Sequence, residues 1–194
     1  MSQPARPGPA ARRAPQPPAH RGHSLVELGI VLAIAGLTLS LAAPGLRDLV
    51  LSARMAAAVN ELVHDLHLAR NRAIHLGQAV TLCQSPDGAQ CGTSRQWEGG
   101  WIVFTDPDED RLLGPGETLL ARRPARPGLD LRFSAFGSPR NVTYYPTGWT
   151  WNRNGTFTLC DARGPGAARA VILHRSGRVR TSHTKADGGP LTCP

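Results

Sequence analysis

Arg175, Gly177, Arg178 and Arg180 stand close together in the run His174-Arg-Ser-Gly-Arg-Val-Arg-Thr-Ser-His183, and their chemistry is the capture of an anion. Side chains on a strand alternate between faces, so Arg178 and Arg180 share one face while Val179 turns to the other. Their separation on that face, about 7 Å, matches successive phosphates on one polynucleotide strand. Gly177 permits a tight turn that presents backbone N–H groups to an anion. Thr181, Ser182, Lys185 and Arg153 are further candidates for phosphate contact. Tyr144, Tyr145, Trp149 and Trp151 read as core or strand packing rather than as base-stacking platforms.

Two other clusters suggest a metal and fall short of one. Asp106, Asp108, Asp110 and Glu117 occupy positions 1, 3, 5 and 12 of an EF-hand calcium loop. Position 6, which that loop requires as Gly, is Arg111, and the flanks read as strands, so a solvated loop is expected. His64 and His67 lie one helical turn apart, beside Asp65 and with His75 farther along, but no third ligand converges on them. No metal and no cofactor is expected. Ser, His and Asp are present without a nucleophile elbow, metal triad or phosphate loop, so no enzyme is expected either.

The elements that must position these groups follow from length and charge. The chain has 194 residues and a net charge of +8, enough for one domain with accessory segments. Residues 1–22 carry Arg6, Arg12, Arg13 and Arg21, no acid and six Pro, and cannot bury enough surface to fold. Ser24 to Ala43 is a span of 20 residues, rich in Leu, Ile, Val and Ala, whose only ionisable group is Glu27. As a helix this span is about 30 Å long, the thickness of a bilayer core. The basic flank before it predicts a cytoplasmic leader with the remainder outside. An ordinary signal peptide has a shorter apolar core and a small-residue cleavage site, and neither is present before Pro44. A carboxylate in such a helix is costly and asks for a cation.

The junction Arg21-Gly22-His23-Ser24-Leu25-Val26-Glu27, with Pro44 downstream, resembles the type IV pilin and pseudopilin family. In that family a basic leader ends in Gly before Ser/Thr, Leu, any residue and Glu; His23 stands where Phe is usual. The resemblance implies cleavage after Gly22 by a prepilin peptidase and methylation of the new amine of His23. It further implies that Glu27 meets the amine of a neighbouring pilin, which supplies its cation. The place implied is the inner membrane, crossed once, with the head in the periplasm, or outside the cell once in a pilus.

Beyond Pro44 the apolar residues Val59, Leu62, Val63, Leu66, Ala69, Ala73 and Leu76 recur at spacings of three and four, the stripe of an amphipathic helix. Arg54, Glu61, Asp65, Arg70 and Arg72 fill its other faces. From residue 78 the pattern shortens to eight candidate strands: 78–84, 100–105, 117–121, 129–134, 141–145, 156–160, 169–174 and 178–183. The predicted organisation is a leader (1–22), an apolar helix (23–44), an amphipathic helix (45–77) and a β-rich head (78–194). The fold class is α+β, with a long N-terminal helix packed on a small antiparallel sheet. Cys83, Cys91, Cys160 and Cys193 all fall in the head, where disulfides are expected. Of three connectivities, Cys83–Cys91 and Cys160–Cys193 are favoured, because the first closes a Ser-Pro-Asp-Gly turn and the second ties the tail to a strand.

The run Trp97-Glu-Gly-Gly-Trp-Ile-Val-Phe-Thr-Asp106 and the later Gly177-Arg-Val-Arg180 resemble the GspH/FimT branch of the pilins. The Gly-Arg-x-Arg pattern resembles FimT-type minor pilins, which implies binding of extracellular DNA during uptake for natural transformation. Charge agrees: residues 118–194 hold eleven Arg and Lys185 against three acids. Residues 83–117 hold two Arg against seven acids. Exposed excess arginine favours a polyanion. The alternative is a purely structural minor pilin or type II secretion pseudopilin at a filament tip, its arginines paired with a neighbour's acids.

Overall fold

The computed structural model describes residues 22, 24–137, 140–150 and 154–194. They form one helix, α1 (Leu25–Leu76), and eight strands: β1 (Val80–Gln84), β2 (Gly100–Thr105), β3 (Leu119–Pro124), β4 (Leu129–Ala135), β5 (Asn141–Tyr144), β6 (Gly155–Asp161), β7 (Arg169–Leu173) and β8 (Val179–Ser182). The chain divides into two compact units, one ending at Gly45 and the other spanning Leu46–Pro194.

In the first unit Ser24 caps the helix. The Val26 N–H donates to Ser24 Oγ at 3.3 Å, and the Leu28 N–H donates to the Ser24 carbonyl at 3.1 Å. Glu27 lies in the first turn, where the helix dipole favours a carboxylate. Every large apolar side chain from Leu25 to Leu39 is at least 53% exposed, so this unit buries its apolar surface only against something outside the chain. No single helix among the described residues is long and apolar enough to cross a membrane; Leu25–Ser40 and Gly45–Leu76 pass that test as a pair.

In the second unit the α1 stripe is buried from Met55 through Ala58, Val59, Leu62, Leu66, Ala69 and Ala73. Two positions differ from the periodic expectation. Leu76 is 48% exposed, at the last residue of the helix. Asp65, expected on a polar face, is fully buried. Its Oδ2 accepts from Trp101 Nε1 at 2.9 Å and from Arg123 Nε at 2.8 Å, and its Oδ1 accepts from Arg123 Nη2 at 2.8 Å. One carboxylate thus ties α1 to both β2 and β3. Hydrogen bonding to Asp65 holds the Arg123 guanidinium even more firmly protonated than usual.

The single sheet expected is in fact two antiparallel four-stranded sheets, ordered β3-β2-β1-β5 and β4-β6-β7-β8. Period-two patterning marks a strand without naming its partner. Here Pro124 ends β3 and Pro127 precedes β4, and a residue without an N–H cannot extend a ladder, so β4 starts a new sheet. β3 starts two residues later than predicted because Gly114–Glu117 forms a turn, in which the Gly114 N–H donates to Glu117 Oε2 at 2.8 Å.

The inner faces of both sheets meet the α1 stripe in one core. Trp97, Phe133 and Phe157 pack there with ring centroids 4.3–6.0 Å apart. The Trp97-Glu-Gly-Gly-Trp101 run is explained by this packing. Both indoles are buried, and Gly100, at φ 111°, sits where an added Cβ would come within 2.4 Å of the Arg123 carbonyl.

The disulfides are Cys83–Cys91 and Cys160–Cys193, the two pairings favoured above. The second lies on the outer face of the β4-β6-β7-β8 sheet, where Leu191 of the tail covers Ala170 and Ile172. The tail is therefore fastened across that face.

Candidate nucleic-acid interface

Strand register assembles the basic site. Ser134, Thr156, Ile172 and Arg180 are direct cross-strand neighbours from β4 to β8, and Leu173 faces Val179. The His174 N–H donates to the Arg178 carbonyl at 2.9 Å, which extends the β7–β8 ladder by one pair. Val179 packs on the core while Arg178 and Arg180 are exposed on the opposite face, as alternation requires. Between them and β4 runs a groove of about 370 Å³ lined by Ser134, Asn154, Thr156, His174, Arg178 and Arg180, with Ala186 of the tail on its wall.

The arginines of the basic half divide by what they touch. Arg123 pairs with Asp65 and Glu61, Arg126 with Glu61, and Arg163 with Asp161. Arg169 donates to the carbonyls of Ala167 and Ala168, both at 2.9 Å. These hold the fold together. Arg122, Arg132, Arg140, Arg175, Arg178 and Arg180 form no ion pair among the described residues, and of these Arg178 and Arg180 line the same groove. Free guanidiniums beside hydroxyl and amide groups form a surface suited to phosphodiester oxygens.

The turn at Gly177 has a different role from the one its sequence suggests. Its N–H is not available to an anion, because it donates to the His174 carbonyl at 2.8 Å. The Arg175 N–H donates to Asn154 Oδ1 at 2.8 Å and the Ser176 N–H to His174 Nδ1 at 3.2 Å. Gly177 is needed for fit. At φ 79°, an added Cβ would lie 2.0 Å from the Gly148 carbonyl, 3.0 Å from Arg70 Nε and 3.1 Å from Tyr144 Cε1. Gly177→Ala is expected to cost about 2–3 kcal/mol, from left-handed strain and overpacking, and to weaken anion binding without removing a charge. Thermal unfolding together with a binding titration checks both effects.

Not every candidate joins this site. Thr181 lies opposite Val171 and lines a separate cavity with Arg163 and Arg169 against α1, the reverse side of β8 from Arg180. Ser182 lines that cavity too. Lys185 is half-buried in the tail, its N–H donating to the Gly189 carbonyl at 2.8 Å. Tyr144 is fully buried, where desolvation holds its phenol protonated, but Trp149 is 49% exposed. Arg153 and Trp151 lie outside the described residues, as does His23; Gly22 is exposed.

A family model described as type II transport protein GspH matches residues 58–177, more than half of the chain. The sequence is 33% identical over 171 residues to the pilin-like protein PilA1 of Thermus thermophilus, covering 82% of this chain and 97% of that protein. The chain belongs to the type IV pilin-like GspH family. Membership implies association with other pilins in a filament. The crystal structure of the minor pilin FimU of Pseudomonas aeruginosa has a similar fold, with a TM-score of 0.52 at 18% identity, over 72% of this chain and 99% of that one. The minor pseudopilin EpsH of the Vibrio cholerae type 2 secretion system matches at TM-score 0.47 and 12% identity, over 66% and 96% of the two chains.

In this GspH-family head the acidic loop after β2 brings Asp106, Asp108 and Glu117 within 4.8 Å of one another. Asp110 is not in that group. Asp106 is buried and already engaged, accepting from Thr81 Oγ1 at 2.6 Å and from the Arg111 N–H at 3.3 Å. Partial burial, reinforced by the neighbouring carboxylates, raises the Glu117 carboxyl above its usual range. His64, His67 and His75 are exposed on α1 and form no ligand cluster among the described residues. The groove residues Ser134, Asn154, Thr156 and His174 were not legible as site residues. Ser134 and Thr156 lie on different strands, and Asn154 and His174 flank β6 and β7, so only the register brings them together.

Proposed function

We propose that this GspH-family chain is a minor pilin whose head binds extracellular DNA without sequence preference and serves DNA uptake in natural transformation. The observation that carries the reading is that Arg178 and Arg180, which form no ion pair among the described residues, line a groove rich in hydrogen-bonding groups, with exposed Arg175 in the adjoining turn. Arg123, Arg126, Arg163 and Arg169 are engaged within the fold, so the charge left for a ligand rests on Arg178 and Arg180 with the other unpaired arginines of this half. Gly177 holds the turn that aims the arginines, and Lys185 adds positive charge from the tail.

The N-terminal segment fits a processed and anchored subunit. Prepilin peptidase cuts after Gly22, His23 becomes the methylated N-terminus, and Glu27 accepts a neighbouring subunit's amine while α1 enters the inner membrane or the filament core. The protein is structural and non-enzymatic.

The test is the double substitution Arg178→Gln with Arg180→Gln in the full chain held in nonionic detergent. Each lost duplex phosphate contact removes about 0.9 from the salt slope, so the double variant should lose about 1.8 and bind markedly more weakly at low salt. An unchanged slope and affinity would sink the reading. A purely structural tip subunit predicts the opposite division, with weakened co-assembly with other pilins and unchanged DNA retention.

A further inference from the structure

Two side chains of the groove that can both donate and accept, His174 and Asn154, are each tied by one atom to the turn between β7 and β8. A backbone N–H only donates, so the atom that meets it must accept. The Ser176 N–H reaches His174 Nδ1 at 3.2 Å, and the Ser176 hydroxyl lies 2.8 Å from the same nitrogen. Nδ1 therefore keeps its lone pair, and the proton of the neutral ring is on Nε2. The Arg175 N–H reaches Asn154 Oδ1 at 2.8 Å, which fixes the orientation of that amide. Neither His174 Nε2 nor Asn154 Nδ2 makes a hydrogen bond among the described residues. Register puts both residues beside the arginines. The His174 N–H donates to the Arg178 carbonyl, so these two are cross-strand partners, and the pairing of Gly155 with Leu173 makes Asn154 the neighbour of His174 on its other side. Such partners share a face with Cβ atoms about 5 Å apart, and the diagonal from His174 to Arg180 is about 7–8 Å. All four residues are exposed and line the groove.

We infer that His174 and Asn154 are phosphate-contacting residues that act as neutral donors, His174 through Nε2–H and Asn154 through its Nδ2 amide group, beside the charged donors Arg178 and Arg180. The inference rests on the DNA-binding reading and names how the site recognises its ligand. The turn occupies both acceptors of this row, Nδ1 and Oδ1, so the row offers donors alone. A phosphodiester offers acceptors alone, and the two match. An untied imidazole or amide could turn a lone pair toward the phosphate, where it would repel. The N–H groups of Arg175 and Ser176 prevent that. They contact no anion themselves, yet they set the polarity of the surface the anion meets.

Two substitutions separate the two nitrogens of the ring. In His174→Asn the side-chain oxygen stands near the place of Nδ1 and still accepts from the Ser176 N–H, but the Nε2 donor is gone. In His174→Gln the amide nitrogen stands near the place of Nε2 and keeps the donor, but the acceptor for the turn is gone. Fluorescence anisotropy follows the full chain in nonionic detergent binding a short labelled duplex of mixed sequence, at about pH 8, above the ordinary range for imidazole. His174→Asn should bind about five-fold more weakly at every salt concentration, the loss of one neutral hydrogen bond. Its salt slope and melting temperature should stay at the wild-type values, because a neutral donor displaces no counterion. His174→Gln should bind within about two-fold of wild type. Asn154→Asp keeps the acceptor for the Arg175 N–H but sets a carboxylate against the phosphate, and should bind more than about ten-fold more weakly. The inference is overturned if His174→Asn or Asn154→Asp binds as the wild type does. It is also overturned if His174→Gln loses as much as His174→Asn, since His174 then acts through the turn, or if His174→Asn lowers the salt slope, since the ring then binds as a cation. If the wild-type chain binds no duplex at low salt, the DNA-binding reading itself fails. If the double variant Arg178→Gln with Arg180→Gln is weakened while His174→Asn is not, only this inference fails.

Discussion

Asp65→Ala is expected to lower the stability of the head by about 3–5 kcal/mol, the range for removing one partner of a buried ion pair. Asp65 is fully buried, and its loss would leave Trp101 Nε1 and two guanidinium nitrogens of Arg123 without their acceptor in one step. For a head of this size the melting temperature should fall by roughly 10 °C, read by circular dichroism on the full chain in detergent. Asp65→Asn keeps an acceptor for Trp101 but removes the charge, so its loss should be smaller. The informative comparison is Asp65→Leu combined with Arg123→Met. Replacing both charges with apolar groups should recover part of what the single change loses, because it removes the guanidinium N–H groups left without their acceptor while Trp101 Nε1 stays unsatisfied. A melting temperature for Asp65→Ala within a degree or two of wild type would refute the keystone role.

Removing Cys160–Cys193 should come next in size. The two residues are 33 apart in sequence, against 8 for Cys83–Cys91. Chain-entropy reasoning assigns about 3.5 kcal/mol to a loop of the longer length and about 2.5 kcal/mol to the shorter. Cys160→Ser with Cys193→Ser should also loosen the tail that covers Ala170 and Ile172 and carries Ala186 at the wall of the groove. The expected result is a lower unfolding midpoint in urea, together with weaker and less uniform DNA binding. Adding a thiol reductant to this double variant should cause a further loss only through Cys83–Cys91. Equal midpoints for the two disulfide deletions would argue that the tail contributes little beyond its loop.

Much of the head was legible in the chain. β2 matches its predicted span, and the other strands differ by a few residues at their ends, because short apolar runs between Gly, Pro and Asn report strand existence well and ends poorly. The helix stripe was visible in its spacing of three and four. Asp65 was misplaced because period alone assigns it to a polar face; burial came from two partners, Trp101 and Arg123, that lie 36 and 58 residues away. The same limit applies to the basic site. Arg178 and Arg180 announce themselves by spacing, while Ser134, Asn154 and Thr156 are ordinary residues in their own segments.

The sequence by itself determined the apolar N-terminal helix with its single carboxylate, the strand-rich cysteine-bearing head and the family's motifs, since each is written in local composition and period. The tertiary structure decided which strands share a sheet, which arginines are occupied by carboxylates and which remain free, and that Gly177 serves packing rather than anion capture. Those are questions of pairing between distant segments. Local sequence sets the face a side chain points to, but only the register of neighbouring strands sets what it meets there.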